Sequence, residues 1–178
     1  MRTRSSGGGR VSLVLVLGLL PLVQRSCGGE STVERQRLSG SVSTLEELAA
    51  EVLVGLASAD TARLERVRLD EAEHNELVWP ELPAATSGAG FPVDVAWENI
   101  SARNRSALSR LLSEHGGTEV DLRGVECRGP TREFESFVVH TDCWVSLTRD
   151  DERLPPKQIF QDVLDWDGEL KIFRYYEP

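Results

Sequence analysis

The most constraining feature of this sequence is a strict alternation of residue types in its C-terminal half. Every second position over residues 137–147 is apolar or small: Phe137, Val139, Thr141, Cys143, Val145 and Leu147. A repeat of two residues is the period of a β-strand, whose successive side chains point to opposite faces. The segment therefore predicts a strand with one buried face, and the chain must fold around a sheet.

Three further segments carry strand signals. Residues 120–127 alternate in two phases that change at Gly124, which is typical of a bulge glycine. Residues 157–166 and 169–176 flank Asp167-Gly168, a dipeptide that favours the type I′ turn of a β-hairpin. We therefore expect four antiparallel strands connected as a meander.

Helical patterns precede the strands. Residues 44–58 follow two overlapping capping-box patterns and repeat apolar residues at helical spacing. Similar spacing predicts a second helix over 60–78 and a third over 94–115, separated by a proline-rich loop over 80–93. The expected fold is α+β: N-terminal helices pack on one face of a curved four-stranded antiparallel sheet, within a single domain over 44–178.

Residues 1–27 have the organisation of an export signal. Three arginines are followed by the thirteen-residue apolar run 11–23, and no acidic residue occurs before Cys27. A helix of that length rises about 20 Å at 1.5 Å per residue, which is short for a hydrocarbon core of about 30 Å. An uncleaved membrane anchor is the alternative interpretation.

Cys27 stands between Ser26 and Gly28, and in this context it resembles the lipid-modified cysteine of bacterial lipoproteins. The resemblance implies acyl chains on Cys27 that hold the protein on a membrane without a spanning helix. Residues 28–43 are polar and lack periodicity, so they are expected to form a flexible tether. Ordinary secretion without lipidation is the alternative.

Two cysteines remain in the body of the chain, Cys127 and Cys143. An even pair in an oxidising compartment favours a disulfide. A simple hairpin register, however, places Cys127 opposite Phe134, so two small buried thiols are an equal alternative. The sequence has no Cys-x-x-Cys motif, and no metal site is expected.

Charge and motifs exclude several functions. The chain has 20 basic and 29 acidic residues; without the four arginines of residues 1–27, 16 basic residues face 29 acidic ones, a net charge of −13. Such a body repels phosphate backbones, so no nucleic-acid partner is expected. Because P-loop, dinucleotide-binding and Gly-x-Ser-x-Gly motifs do not occur, no cofactor is expected either.

The order of a long helix and a four-stranded meander, closed by the Trp166–Tyr176 hairpin, resembles the cystatin-like cone. Its wider relatives are the nuclear-transport-factor-2-like and polyketide-cyclase-like (SnoaL-like) proteins. The resemblance covers residues 44–178 and implies a pocket between the sheet and the long helix, of the kind that holds small molecules. The segment Glu76–Pro83 also looks like segments of uncharacterised bacterial lipoproteins.

Polar residues on the predicted strands are the candidates for such a pocket. His140 and Asp142 are two positions apart on one strand face, where a carboxylate can support histidine as a general base. Asp162 is a third catalytic candidate.

A turn at Asp167-Gly168 places Gln161 opposite Arg174, and with Trp144 these residues are candidates for ligand binding. The alternative is that this face is only solvated, and that Trp79, Trp97, Trp144 and Trp166 pack in the core and at its rim.

Glu71 and His74 have the Glu-x-x-His spacing of half a carboxylate metal site. Such sites need a second copy of the motif, and the sequence has none. We therefore expect His74 to be partly buried and hydrogen-bonded.

Together these observations predict an exported bacterial envelope protein that is lipid-anchored and acts as a binding or interaction module. Its expected partners are the membrane, through the anchor, and a small-molecule or protein ligand. The alternative is a cone-fold enzyme of the isomerase, cyclase or hydrolase type that uses a His/Asp pair.

Overall fold

The computed structural model describes residues 38–88 and 90–177. The helices in these ranges are α1 (Leu45–Ala57), α2 (Thr61–Arg66), α3 (Glu71–Glu73), α4 (Pro83–Thr86) and α5 (Val93–His115). A π-helical turn, His74–Val78, and a 3₁₀ turn, Trp79–Glu81, lie between α3 and α4. The strands are β1 (Asp121–Cys127), β2 (Arg132–Glu133), β3 (Val138–Thr141), β4 (Cys143–Arg149), β5 (Glu152–Arg153), β6 (Phe160–Trp166) and β7 (Glu169–Tyr175). The fold is α+β, with helices packed against antiparallel sheets.

The first described residues are docked on the domain. The predicted export signal 1–27, with Cys27, and residues 28–37 of the predicted tether lie outside the described ranges. Leu38, which falls within that tether, is buried, and its N–H donates to Glu169 at 2.7 Å. Val42 exchanges two backbone hydrogen bonds with Leu170. The folded part therefore includes residues 38–43. Within the described ranges no helix is both long and apolar enough to cross a bilayer.

Helix α1 confirms Thr44 as the capping residue, although the bond back from Glu47 goes to the residue before the cap. The Thr44 hydroxyl accepts the Glu47 N–H at 3.1 Å, and the Glu47 carboxylate accepts the Ser43 N–H at 2.9 Å. These bonds satisfy N–H groups that have no partner within the helix. The helix buries its stripe of Leu48, Ala49, Val52 and Leu56 in the main core.

The prediction of a single helix over 60–78 is wrong. Helix α2 ends at Arg66, and the chain then runs extended along the free edge of β7. There Ile172 donates to the Val67 carbonyl at 2.8 Å, and the Leu69 N–H donates to the Ile172 carbonyl at 3.0 Å. An uncovered strand edge leaves backbone groups unpaired, which explains why this segment is extended despite its helical spacing.

Helix α5 covers the next part of the same edge. It begins at Val93, after Pro92, and the expected loop 80–93 contains the short helix α4. The Asn104 side chain donates to the Phe173 carbonyl at 3.2 Å and accepts the Tyr175 N–H at 2.9 Å. At the end of β7 the buried side-chain amide of Asn104 therefore makes the hydrogen bonds that a neighbouring strand would otherwise make.

The strands form two sheets, in the orders β1-β4-β5 and β2-β3-β6-β7, so the single four-stranded meander is wrong. The predicted strand over 137–147 is divided at Asp142, which has a left-handed φ of +56°. Before this residue the strand pairs with β6, and after it with β1. A left-handed residue interrupts the extended conformation, and the pairing changes partner there.

The β1–β4 pair brings the two cysteines together. Its register shifts between Leu122 and Gly124, which confirms the expected bulge. Cys127 lies directly opposite Cys143, and a disulfide joins them. The expected register with Phe134 is wrong because the hairpin turns later: the Phe134 N–H donates to the Phe137 carbonyl at 2.9 Å.

The β6–β7 hairpin turns at Asp167 and Gly168, which both have positive φ (53° and 85°), as a type I′ turn requires. Toward its open end the register shifts on both sides of Asp162. The two shifts place Arg174 opposite Asp162 rather than opposite Gln161. The expected pairing of Gln161 with Arg174 is therefore wrong.

Strand β6 is buried on both faces and separates two hydrophobic clusters. Val163 belongs to the main core, with α1, α5 and both sheets. Leu164 belongs to a smaller cluster, which contains Leu38, Leu69, Val78, Phe137 and Val139, with Trp166 packed against it. This second layer closes the sheet face opposite α1 and α5.

Candidate functional site

The three catalytic candidates do not form one site. His140 contacts Asp165, with Nε2 to Oδ2 at 3.4 Å, and both side chains are 29 % exposed. Asp142 has a left-handed backbone and contacts Trp144 and Gln158 instead of His140. Asp162 is buried against Arg174 in an ion pair, with Arg174 Nε at 2.5 Å. Each carboxylate thus has its own partner.

Asp142 organises the surface next to the disulfide. One of its oxygens accepts hydrogen bonds from Trp144 Nε1 at 2.9 Å and from Gln158 Nε2 at 2.6 Å. The Arg128 guanidinium lies over the Trp144 ring, 5.3 Å from its centroid. Charge over the face of an indole ring is attractive, so the ring is held on two sides.

Trp144 is the one ligand-binding candidate that lines a groove found in the described part of the chain. The groove runs between the end of α5, β4 and the residues before β6, and Tyr176 closes one side. Its lining is Arg110, Leu111, Glu114, His115, Trp144, Pro156, Lys157, Gln158 and Tyr176. The groove thus combines two large aromatic rings with two cations, Arg110 and Lys157, and one carboxylate, Glu114.

The cations of the groove differ in how far they are engaged. Arg110 donates to the Tyr176 carbonyl at 2.5 Å, lies over the Tyr176 ring and is 3.4 Å from a Glu114 oxygen. Lys157 is exposed, and no hydrogen bond or ion pair of its ammonium is found in the described ranges. Lys157 is therefore the cation best able to receive an anionic ligand.

An apolar cavity lies directly behind the groove. It is lined by Leu53, Leu56, His115, Thr118, Val120, Leu147, Arg149, Leu154, Lys157 and Ile159. About 40 Å³ of it is open to the centres of water molecules. His115 and Lys157 line both spaces, so they stand at the boundary between the charged groove and the apolar cavity.

Burial lowers the pKa of His115 below its usual 6.5, and the neighbouring charge of Lys157 lowers it further. Glu114 acts in the opposite direction but does not reverse the shift. His115 is therefore neutral at pH 7, and its ring also makes a hydrogen bond to the backbone of Glu114. An anion bound beside it would favour the protonated form.

The proposed half of a metal site is not assembled. His74 is buried, its Nδ1 lies 2.7 Å from Asn75 Oδ1, and its ring packs between Trp79 and Trp97. Glu71 is exposed. Across residues 38–88 and 90–177, no three His, Cys, Asp or Glu side chains form a group able to hold a metal ion.

Sequence reasoning missed most of the groove. Lys157 and Tyr176 are the outer end residues of the predicted strands 157–166 and 169–176, and a strand pattern by itself does not mark its end residues as a binding site. Arg110 is one of 18 arginines, most of which face solvent in such a sequence. The sequence held one signal: Lys157 is one of only two lysines. That it lies near Trp144 is visible only in the folded structure.

Comparison with known proteins found no matching family model, no similar curated protein and no similar solved structure. The functional argument therefore depends on the geometry of the groove and the cavity.

Proposed function

We propose that this chain is a binding module rather than an enzyme, and that the groove beside Trp144 binds a small anionic molecule. The observation that carries the proposal is the position of Lys157: an exposed ammonium that has no hydrogen bond or ion pair among the described residues and lies between an aromatic groove and a mainly apolar cavity. Ligand sites combine apolar walls with a few polar groups in this way. The remaining body is strongly acidic, so a local cluster of cations attracts anions selectively to this place.

The alternative, a cone-fold enzyme, has one supporting contact. His140 and Asp165 form a histidine–carboxylate pair at 3.4 Å. Neither residue lines the groove or the cavity behind it. A general base must lie within hydrogen-bond reach of the proton that it removes, so this pair and the binding groove do not make one catalytic site.

The proposal includes a location and a fold family. The export-like segment 1–27 and the lipoprotein-like context of Cys27 support an exported, lipid-anchored bacterial envelope protein. The Cys127–Cys143 disulfide is consistent with an oxidising compartment. The long helix α5 followed by antiparallel hairpins supports kinship with the cystatin-like cone.

The binding proposal is tested by nuclear magnetic resonance titration of the labelled protein with sodium butanoate and with inorganic phosphate. We expect the amide signals of groove residues to shift, and Lys157→Gln to weaken the response to butanoate at least fivefold. Arg132→Gln removes an exposed arginine outside the groove and should leave the response unchanged. Absence of any shift, or equal responses in both variants, would refute the proposal.

The location is tested by mass spectrometry of the membrane fraction. An acylated cysteine at position 27 as the mature N-terminus is the expected result. A soluble protein that still begins at Met1 contradicts both export and lipidation.

A further inference from the structure

The groove and the cavity are adjacent compartments of opposite character. The groove offers Lys157, His115 and Arg110, whereas the cavity beyond His115 and Lys157 is walled mainly by aliphatic side chains of α1, β4 and the residues before β6. A ligand that satisfies only the groove leaves the cavity unfilled. A ligand that satisfies both has a charged end and an aliphatic end.

Building on the proposed function, we infer that the ligand is an aliphatic carboxylate, with its acid group on Lys157 and its hydrocarbon chain in the cavity behind His115. A carboxylate suits this place because the ammonium of Lys157 is a compact charge that has no partner within residues 38–88 and 90–177. His115 lies beside the same place, at the boundary between the groove and the cavity. Glu114 also lines the groove, and its carboxylate is directed to Arg110 at 3.4 Å, with His115 Nε2 at 3.8 Å from its other oxygen.

The size of the cavity limits the length of the chain. Space of about 40 Å³ for water centres holds about three water molecules, since one needs about 10–15 Å³ on this measure. A chain of about three or four methylene and methyl groups displaces that volume. The structure therefore favours acids of about four or five carbons over acetate, and the further carbons of longer acids find no room within this cavity.

The experiment is a calorimetric titration of the full chain with acetate, butanoate, hexanoate and octanoate, and with butanol as the uncharged counterpart. Each methylene that enters the cavity should raise affinity about fourfold. The rise should stop between butanoate and hexanoate. Lys157→Gln should weaken butanoate at least fivefold and leave butanol unchanged, whereas Arg132→Gln should alter neither.

A second variant tests the cavity itself. Thr118 lines the cavity and is partly exposed, so Thr118→Met can fill the space with little effect on the fold. We expect it to abolish the advantage of butanoate over acetate. Thr131→Met, on an exposed connection outside the cavity, is the matched control and should preserve that advantage.

The possible failures are distinguishable. Acids that bind through Lys157 with no dependence on chain length would overturn this inference and leave the anion-binding proposal standing. A chain-length profile that Thr118→Met does not change would also overturn it. If none of the acids and no phosphate binds, both the inference and the proposed function are refuted.

Discussion

Lys171 and Glu73 form a buried ion pair that should dominate the stability of the layer around α3. The Lys171 Nζ lies 2.6 Å from Glu73 Oε2, and the two side chains are only 1 % and 8 % exposed. The second Glu73 oxygen accepts the Ser39 N–H at 2.7 Å, and Oε2 also accepts the Asp70 N–H at 3.0 Å. One carboxylate therefore joins the first described segment, the cap of α3 and strand β7.

The expected cost of breaking this pair follows from burial. Removing one partner leaves an uncompensated charge away from water, which typically costs about 3–5 kcal/mol. We expect about that loss for Lys171→Met, and a similar loss for Glu73→Gln, which leaves the ammonium unpaired. The double variant should lose less than the sum of the two, by at least about 2 kcal/mol, because no buried charge remains.

Urea unfolding of the four proteins, followed by far-ultraviolet circular dichroism, measures these free energies and their coupling. The exposed pair Arg63–Glu51, at 3.0 Å with side chains 31 % and 39 % exposed, is the matched control. Arg63→Met and Glu51→Gln should each cost under about 1 kcal/mol. Additive losses in the Lys171 and Glu73 variants, or a loss for Lys171→Met no larger than that of Arg63→Met, would refute the argument.

Three further predictions concern other contacts. Replacing Cys127 and Cys143 by serine should lower the free energy of unfolding by about 3 kcal/mol, because the disulfide closes a loop over a separation of 16 residues. An unchanged midpoint in urea unfolding would contradict this prediction. Asn104→Ala should lower the free energy of unfolding by about 2–4 kcal/mol, since a buried donor and a buried acceptor of β7 lose their partners. The Tyr175 amide should then exchange its hydrogen rapidly, and full protection of that amide would contradict the prediction. Burial lowers the pKa of His74 below 6.5, so the unfolded chain binds this proton more readily than the folded one. The free energy of unfolding should therefore fall as the pH drops below about 6.5, and His74→Gln should reduce that fall, measured by urea unfolding at pH 7.5 and pH 5.

Local patterns in the sequence were enough to predict α1, the bulge near Gly124 and the hairpin at Asp167-Gly168. Each is decided by residues within a few positions of one another: a capping hydroxyl, a change of phase, or two positions that tolerate positive φ. The α+β class followed from the same short-range signals.

The single helix predicted over 60–78 does not form because part of this segment makes backbone hydrogen bonds to a strand that is distant in the sequence. The edge of β7 needs backbone partners, and Val67–Leu69 provides them from about 100 positions away in the sequence. A periodicity of apolar residues records which side chains are buried, but not whether the backbone hydrogen bonds are made within a helix or to a strand.

The candidate site, too, could be predicted from the sequence only in part. The sequence alone determined which side chains could carry charge or chemistry, and Trp144 and His140 were identified in that way. Only the tertiary structure decided that Asp142 breaks a strand and that Lys157 stands between a groove and a cavity. Likewise, Lys171 meets Glu73 across 98 positions of sequence. The physical reason is that propensities and caps act over a few residues, whereas burial and charge pairing depend on which distant segments the closed fold brings into contact.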